Sequence, residues 1–243
     1  MHMCWGMPAP RMVRGVHMIE VSETRATIGA GLIQDWVHGW VVSREVPPAI
    51  EVPGGFRIEV GQPNHLRRYV LGNANPDVMQ DLIRRIHTPG VWIKAFAEEP
   101  EFRWFLTPEW KVDGSGHIMV TALRQTAVTV PPGYSVESTQ DEGLLAVRVL
   151  AADGGLAASG RMGVAGPIAV ADQIGTEEAH RRRGLGAIVM QTLANLAVAQ
   201  GAQKGVLVAT DEGKALYLAL GWELRGHVTG AWIPLATNSP TCR

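Results

Sequence analysis

Apolar residues recur along the chain in two rhythms, one near 3.6 and one near 2, and the rhythms alternate too often for an all-helical or all-strand protein. Residues 22–42 follow the helical rhythm. Ser22 is a natural N-cap, Ile28, Leu32, Trp36 and Trp40 fall four apart, and Pro47 and Pro48 stop the run. A second helix is expected at 76–87, where Pro76 suits a first turn and Val78, Leu82, Ile83 and Ile86 share a face. Extended runs at 56–60, 68–71, 91–96 and 117–123 flank it, and 98–111 reads as an aromatic-rich connector carrying Trp104, Phe105 and Trp110. Clustered aromatics predict a packed core or an interface before a ligand cage. Val130-Pro131-Pro132-Gly133 suits neither helix nor strand ladder and is expected to divide the chain. Beyond it, strands are expected at 134–137, 144–151, 156–162 and 168–176, with Asp153-Gly154-Gly155 as a hairpin turn. A helix at 185–200, a strand at 205–209, a helix at 212–220 and a strand at 222–228 complete the order, which is mixed α/β and not a string of βαβ repeats. The expected organisation is an extension at 1–17, an α/β domain at 18–130 and a second domain at 131–243.

Composition narrows the function classes. With 46% hydrophobic and 19% charged residues the chain can bury a core. Its 22 Lys+Arg against 23 Asp+Glu leave a net charge of -1, so no global basic excess draws it to nucleic acid or an anionic membrane, and any anion recognition is local. Cys4 and Cys242 form no disulfide framework or CxxC pair, and a reducing cytoplasm is the expected setting. No uncharged apolar run approaches the roughly 18 residues of a membrane span, and the first 18 residues lack a signal-peptide core. The eight histidines show no metal-ligand spacing, and no GxSxG elbow points to a hydrolase.

The most informative stretch runs from Ile174 to Ala187, a strand entering a loop with Arg181, Arg182, Arg183, Gly184 and Gly186 before a helix that opens at Leu185. A helix start leaves amides without intrahelical partners and carries partial positive charge. Glycines there remove crowding, so a phosphate fits. The alternative is that the arginines are a solvated charge run. GxxxxGK[ST] is absent, and the third glycine of GxGxxG would fall on Val189, so neither a P-loop nor a Rossmann loop is present.

Arg181, Gly184 and Gly186 match the [QR]-x-x-G-x-[GA] loop, and Ala215-Leu216-Tyr217-Leu218-Ala219-Leu220-Gly221-Trp222 matches the ALYxxxGF segment about 30 residues on. The chain therefore resembles the Gcn5-related N-acetyltransferases (GNAT), clearly over 168–225 and plausibly from 134 onward. That resemblance implies a mixed, mostly antiparallel twisted sheet flanked by helices and an acetyl-CoA cosubstrate, with no metal. It also implies that the backbone of Ile174, Gly175 and Thr176 pairs with the pantetheine arm, that the amides from Arg182 through Ala187 wrap the pyrophosphate, and that Tyr217 is the general acid. Thr210 stands where the family usually has asparagine. Strand alternation would send Asp172 to the same face as Ile174 and Thr176, which makes it the candidate base, with Glu142 and His180 as alternatives. Too few residues separate Tyr134 from the strand at 168 for the two helices usual there, so acceptor-binding elements are expected from elsewhere. The order helix 24–42, strand 68–71, helix 76–87, strand 91–96 echoes that of 185–228, and on this order the first 130 residues are expected to be a degenerate GNAT-like repeat.

The expected activity is direct transfer of an acetyl group to the amine of a small molecule or protein, by a monomer or homodimer. A noncatalytic acyl-CoA sensor or partner-binding module, and a nucleic-acid surface built on Arg181 to Arg183, are the competing readings.

Overall fold

A computed structural model describes residues 29–235. The expected extension at 1–17, the Ser22 cap, Ile28 and both cysteines lie outside the described residues. In chain order the elements are α1 (Ala30–Ser43), β1 (Ile50–Val52), β2 (Gly55–Gln62), β3 (His65–Leu71), α2 (Pro76–Arg85), β4 (Val91–Ala95), α3 (Glu99–Arg103), β5 (Lys111–Val112) and β6 (Gly116–Ala122). There follow β7 (Tyr134–Asp141), β8 (Leu144–Ala151), β9 (Leu156–Ala165), β10 (Ile168–Thr176), a 3-10 turn (Glu178–His180), α4 (Leu185–Ala199), β11 (Lys204–Ala209), α5 (Asp211–Ala219) and β12 (Glu223–Trp232). The sheet is mixed and mostly antiparallel, in the order β1-β2-β3-β4-β12-β6-β11-β10-β9-β8-β7, and β5 also pairs with β12. Its parallel pairs are β3 with β4 and β10 with β11.

Two strands tie the halves of the chain together. β6 precedes the Val130–Gly133 segment, yet it is hydrogen-bonded between β11 and β12, which follow it. β12 runs on past the expected end at 228, and its last residues pair with β4 and β5. Helix α1 likewise packs against β9 and β10. The proline-rich segment is thus a connection within one sheet.

The two faces of the sheet bury different sets. Ile118, Val120, Val170, Val206 and Val228 meet Trp36, Val37 and Trp40 of α1. Their alternates Met119, Ala169, Ala171 and Leu207 meet Leu185, Val189 and Leu193 of α4 on the opposite face. A third cluster on that second face joins Ile93, Ala95 and Ala231 to Met79, Leu82 and Ile83 of α2. Helix α1 lies unusually close to the strands. A Cβ on Gly39 would stand 2.3 Å from Val170 Cγ2, and one on Gly163 would stand 2.1 Å from the Gly39 carbonyl. The connector at 98–111 folds into α3 and β5, burying Phe102 and Trp110 but leaving Trp104 85% exposed. Among the described residues no helix is long and apolar enough to cross a membrane.

Candidate functional site

β10 and β11 pair only from Ile168–Lys204 to Ala171–Leu207. Beyond that point β10 stays on β9 through Gly175–Ser159 and Thr176–Ala158, while β11 stays on β6 through Ala209–His117. The two strands part, and the edge of β10 from 172 to 176 has no partner strand on the β11 side. The bulge in β10 lies between Asp172 and Gly175, where Gln173 has φ 54°. It reverses the expected alternation. Asp172 points to the α1 face, where it accepts from Arg44 and Ser43, whereas Ile174 packs into the α4 cluster. The sequence-based expectation that they share a face is corrected by that one inserted residue.

At the open end of the wedge the chain makes the 3-10 turn and enters α4 through Arg182 at φ 63° and Gly184 at φ 77°. Helix α4 has no side-chain cap and no acidic residue in its first turn. The Arg181 amide donates to the Glu178 carbonyl, and the Ala187 and Ile188 amides donate to the Gly184 carbonyl. Among the described residues the amides of Arg182, Arg183, Gly184, Leu185 and Gly186 donate to no backbone acceptor, so the run of free donors stops one residue before the expected Ala187. A Cβ on Gly184 would meet nothing within 4 Å, and one on Gly186 would stand 3.0 Å from Leu216 Cδ2. The loop therefore presents a concave row of N–H groups at the positive end of a 15-residue helix.

The three arginines do different things. Arg181 Nε donates to the Thr176 carbonyl at 3.3 Å, engaging one acceptor on the β10 edge. Arg183 folds back, donating to the Tyr134 hydroxyl at 2.8 Å and the Ala179 carbonyl at 3.2 Å. Tyr134 in turn meets His180 Nδ1 at 3.0 Å, so His180 belongs to the brace that holds the turn. Arg182 is exposed, with no hydrogen bond or ion pair among the described residues. Thr210 caps α5 by accepting from the Gly213 amide at 3.1 Å. Glu142 sits at φ 39° in the exposed β7–β8 turn, at the end of the sheet remote from the wedge.

Tyr217 is 8% exposed, packed edge-on to Trp222 with ring centroids 6.1 Å apart. Its hydroxyl has no hydrogen bond among the described residues. Burial first, and the charge of Asp172 second, push its pKa up to about 12, so the phenol holds its proton and lies within electrostatic reach of Asp172.

Sequence reasoning missed the groups that surround Asp172. Arg44, just past the end of α1, grips both carboxylate oxygens. Arg68 on β3 and Lys94 on β4 are both 8% exposed and feel the same carboxylate. No motif carries them, since each comes from a separate element of the N-terminal half. A cavity of about 1040 Å³ lies elsewhere, between Gly72, Asn75, Phe96, Trp104 and His227, at the start of α2. Among the described residues no three His, Cys, Asp or Glu side chains stand together as metal ligands.

The profile of the acetyltransferase (GNAT) family matches residues 92–222, more than half of the chain, beginning in β4 and ending just before β12. The chain belongs to this family, and with it to the acyltransferases. A GCN5-related N-acetyltransferase from Kribbella flavida superposes with a TM-score of 0.60 over 87% of this chain and 97% of its own, at 16% sequence identity. Another from Sphaerobacter thermophilus gives a TM-score of 0.53 over 78% of this chain and 80% of its own, at 11% identity. At these identities the likeness concerns the fold, which is the open mixed sheet seen here. No curated protein matches the sequence.

Proposed function

We propose that the protein transfers the acetyl group of acetyl-CoA directly to a primary amine, with the C-terminal half holding the cosubstrate. The observation that carries this reading is the row of five unengaged amides from Arg182 to Gly186, at an uncapped helix start beside a parted strand pair. These donors suit the pyrophosphate, exposed Arg182 adds a full charge, and the unpaired β10 edge offers backbone groups to an extended amide-bearing arm. Bound there, acetyl-CoA supplies an activated thioester carbonyl.

The side chains divide the proton work between the two faces. Tyr217, on the α4 side, keeps its proton and can donate it to a departing thiolate. Asp172, on the α1 side, accepts one hydrogen bond at Oδ1, from Arg44 Nη2 at 3.2 Å, so that oxygen retains capacity for an amine N–H. Arg44, Arg68 and Lys94 around Asp172 oppose a further ammonium charge, which favours the neutral amine that attack requires. The acceptor thus approaches from the α1 face and the thiolate is protonated from the other. Thr210 has a capping role in this account, and His180 a bracing one.

The test is release of free thiol from acetyl-CoA across a panel of amines, with acetyl-CoA binding measured in parallel. Saturable, amine-dependent thiol release supports the reading. Tight acetyl-CoA binding with no release for any amine would make the protein a sensor, and absence of both would remove the assignment.

A further inference from the structure

Acyl transfer draws on Arg68 and Lys94 only for their charge near Asp172 and leaves their buried N–H donors without a task. The parallel register of β3 and β4 sets Arg68 opposite Trp92 and Val70 opposite Lys94, so Arg68 and Lys94 are diagonal neighbours on one face of the sheet. The Arg68 guanidinium lies over the Trp40 ring at 4.4 Å and 6.0 Å from Trp92. Its Nε is buried with no hydrogen-bond partner among the described residues. His65 packs against the same two tryptophans, at 6.0 and 5.6 Å, and its Nε2 is also buried without a partner among the described residues. Lys94 Nζ uses one of its donors, on the Gly114 carbonyl at 2.6 Å.

The charges do not balance. Among the described residues Asp172 is the one carboxylate that acts on Arg68, and Arg44 already grips it with two donors. Stacking on Trp40 accounts for the position of Arg68 but not for its orphaned N–H, and buried charges are ordinarily paired. Asp172 and Asp113 pull on Lys94, but burial and Arg68 outweigh them. Burial first, and Arg68 next, bring its pKa down to about 7. His65, brought down to about 3 chiefly by burial, stays neutral and adds no charge. With Arg44, Arg68 and a half-charged Lys94 set against Asp172 and Asp113, the balance at neutral pH stays positive by less than one full charge, which suits a monoanion better than a phosphate dianion. The Nε edge of a guanidinium offers two parallel N–H groups, the geometry that a carboxylate accepts bidentately.

We propose that Arg68 and Lys94 form the anion subsite of the acceptor pocket, and that the acceptor is an amine bearing a carboxylate. This rests on the acyl-transfer reading above, with Asp172 at the nitrogen and Arg68 at the far end of the same acceptor. The carboxylate takes up the orphaned Nε–H and displaces no existing hydrogen bond of Arg68.

The experiment compares amino acids of increasing chain length with their own carboxamides. The full chain is used, once for thiol release with acetyl-CoA and once without acetyl-CoA, following quenching of the tryptophan fluorescence. Carboxylates are expected to exceed their carboxamides by at least about 100-fold in kcat/KM, as for a site built around a polar group of its substrate. Arg68→Gln should raise KM for carboxylates at least about tenfold more than for carboxamides, with acetyl-CoA affinity unchanged. Arg68→Lys should recover part of the loss. Equal use of carboxamides, or an Arg68→Gln variant that depresses both classes alike, would overturn the proposal. If Arg68→Gln fails to fold, Lys94→Met, which keeps the length of the side chain, carries the same comparison. If no amine is acetylated, the acyl-transfer reading fails separately. The fluorescence titration then decides the subsite, through saturable quenching by amino carboxylates and not by carboxamides, or through no quenching by either.

Discussion

Two units of the sheet have the same order of elements and treat the start of their helix in opposite ways. In β3–α2–β4 and in β10–α4–β11 a helix joins two parallel strands. In the first, four residues (72–75) precede the helix. Asn75 caps it by accepting from the Asp77 amide at 3.0 Å and the Val78 amide at 3.2 Å, Pro76 removes a donor, and Asp77 adds a negative charge to the first turn. In the second, eight residues (177–184) precede the helix, with no side-chain cap, no acid in the first turn and a run of free amides. The first arrangement satisfies a helix end with its own chain, and the second leaves it for a ligand. The strands agree with this division. β3 and β4 stay together to Leu71–Ala95, and the Phe96 amide still donates to the Leu71 carbonyl, whereas β10 and β11 part after Ala171–Leu207.

The comparison can be broken at several points. Tyr217→Phe removes the acid from the C-terminal unit, and turnover should fall by roughly 10²–10⁴-fold with acetyl-CoA affinity preserved, read by steady-state kinetics and calorimetry. Gly184→Asp brings a carboxylate among the free amides and an L side chain to φ 77°. Acetyl-CoA should bind about 100-fold more weakly or worse, while Asn75→Asp, which keeps a capping oxygen on α2, should leave that affinity unchanged. Gly163→Ala asks which unit α1 serves. With 2.1 Å between the new Cβ and the Gly39 carbonyl, the helix must lift from β9 and β10, at a cost of about 1–3 kcal/mol in denaturant unfolding.

The smallest effect separates stability from recognition at Lys94. Its folded pKa of about 7 lies below the unfolded value of 10.5, so between these pH values folding releases a proton. Stability therefore falls as pH drops from 10.5 to 7, and the full penalty persists below 7. Lys94→Met should raise Tm at pH 7 and flatten that slope, measured by thermal unfolding at several pH values, while weakening carboxylate acceptors. A lysine retained only for packing would leave the carboxylate acceptors unaffected.

Much of this was legible in the sequence because the signals were local. Pro76 and the apolar face of 78–86 marked α2, the turn at Asp153-Gly154 marked the β8–β9 hairpin, and Gly184 and Gly186 marked the anion loop. What escaped was set by contacts distant in sequence. Gln173 gives no sign that it adopts φ 54°, yet that residue decides that Asp172 faces α1. The proline run at 131–132 marks a break in the local backbone, and nothing near it tells that β6 returns between β11 and β12. Arg44, Arg68 and Lys94 lie on three elements, so only the folded sheet brings them to one carboxylate.

The central claim concerns five backbone amides and can be read at those amides. Titration of the isotopically labelled protein with acetyl-CoA, followed residue by residue in its amide NMR spectrum, should shift Arg182, Arg183, Gly184, Leu185 and Gly186 strongly and leave Asp77 and Val78 in place. Saturation with acetyl-CoA that leaves the five signals unmoved, or moves those at the start of α2 instead, would contradict it.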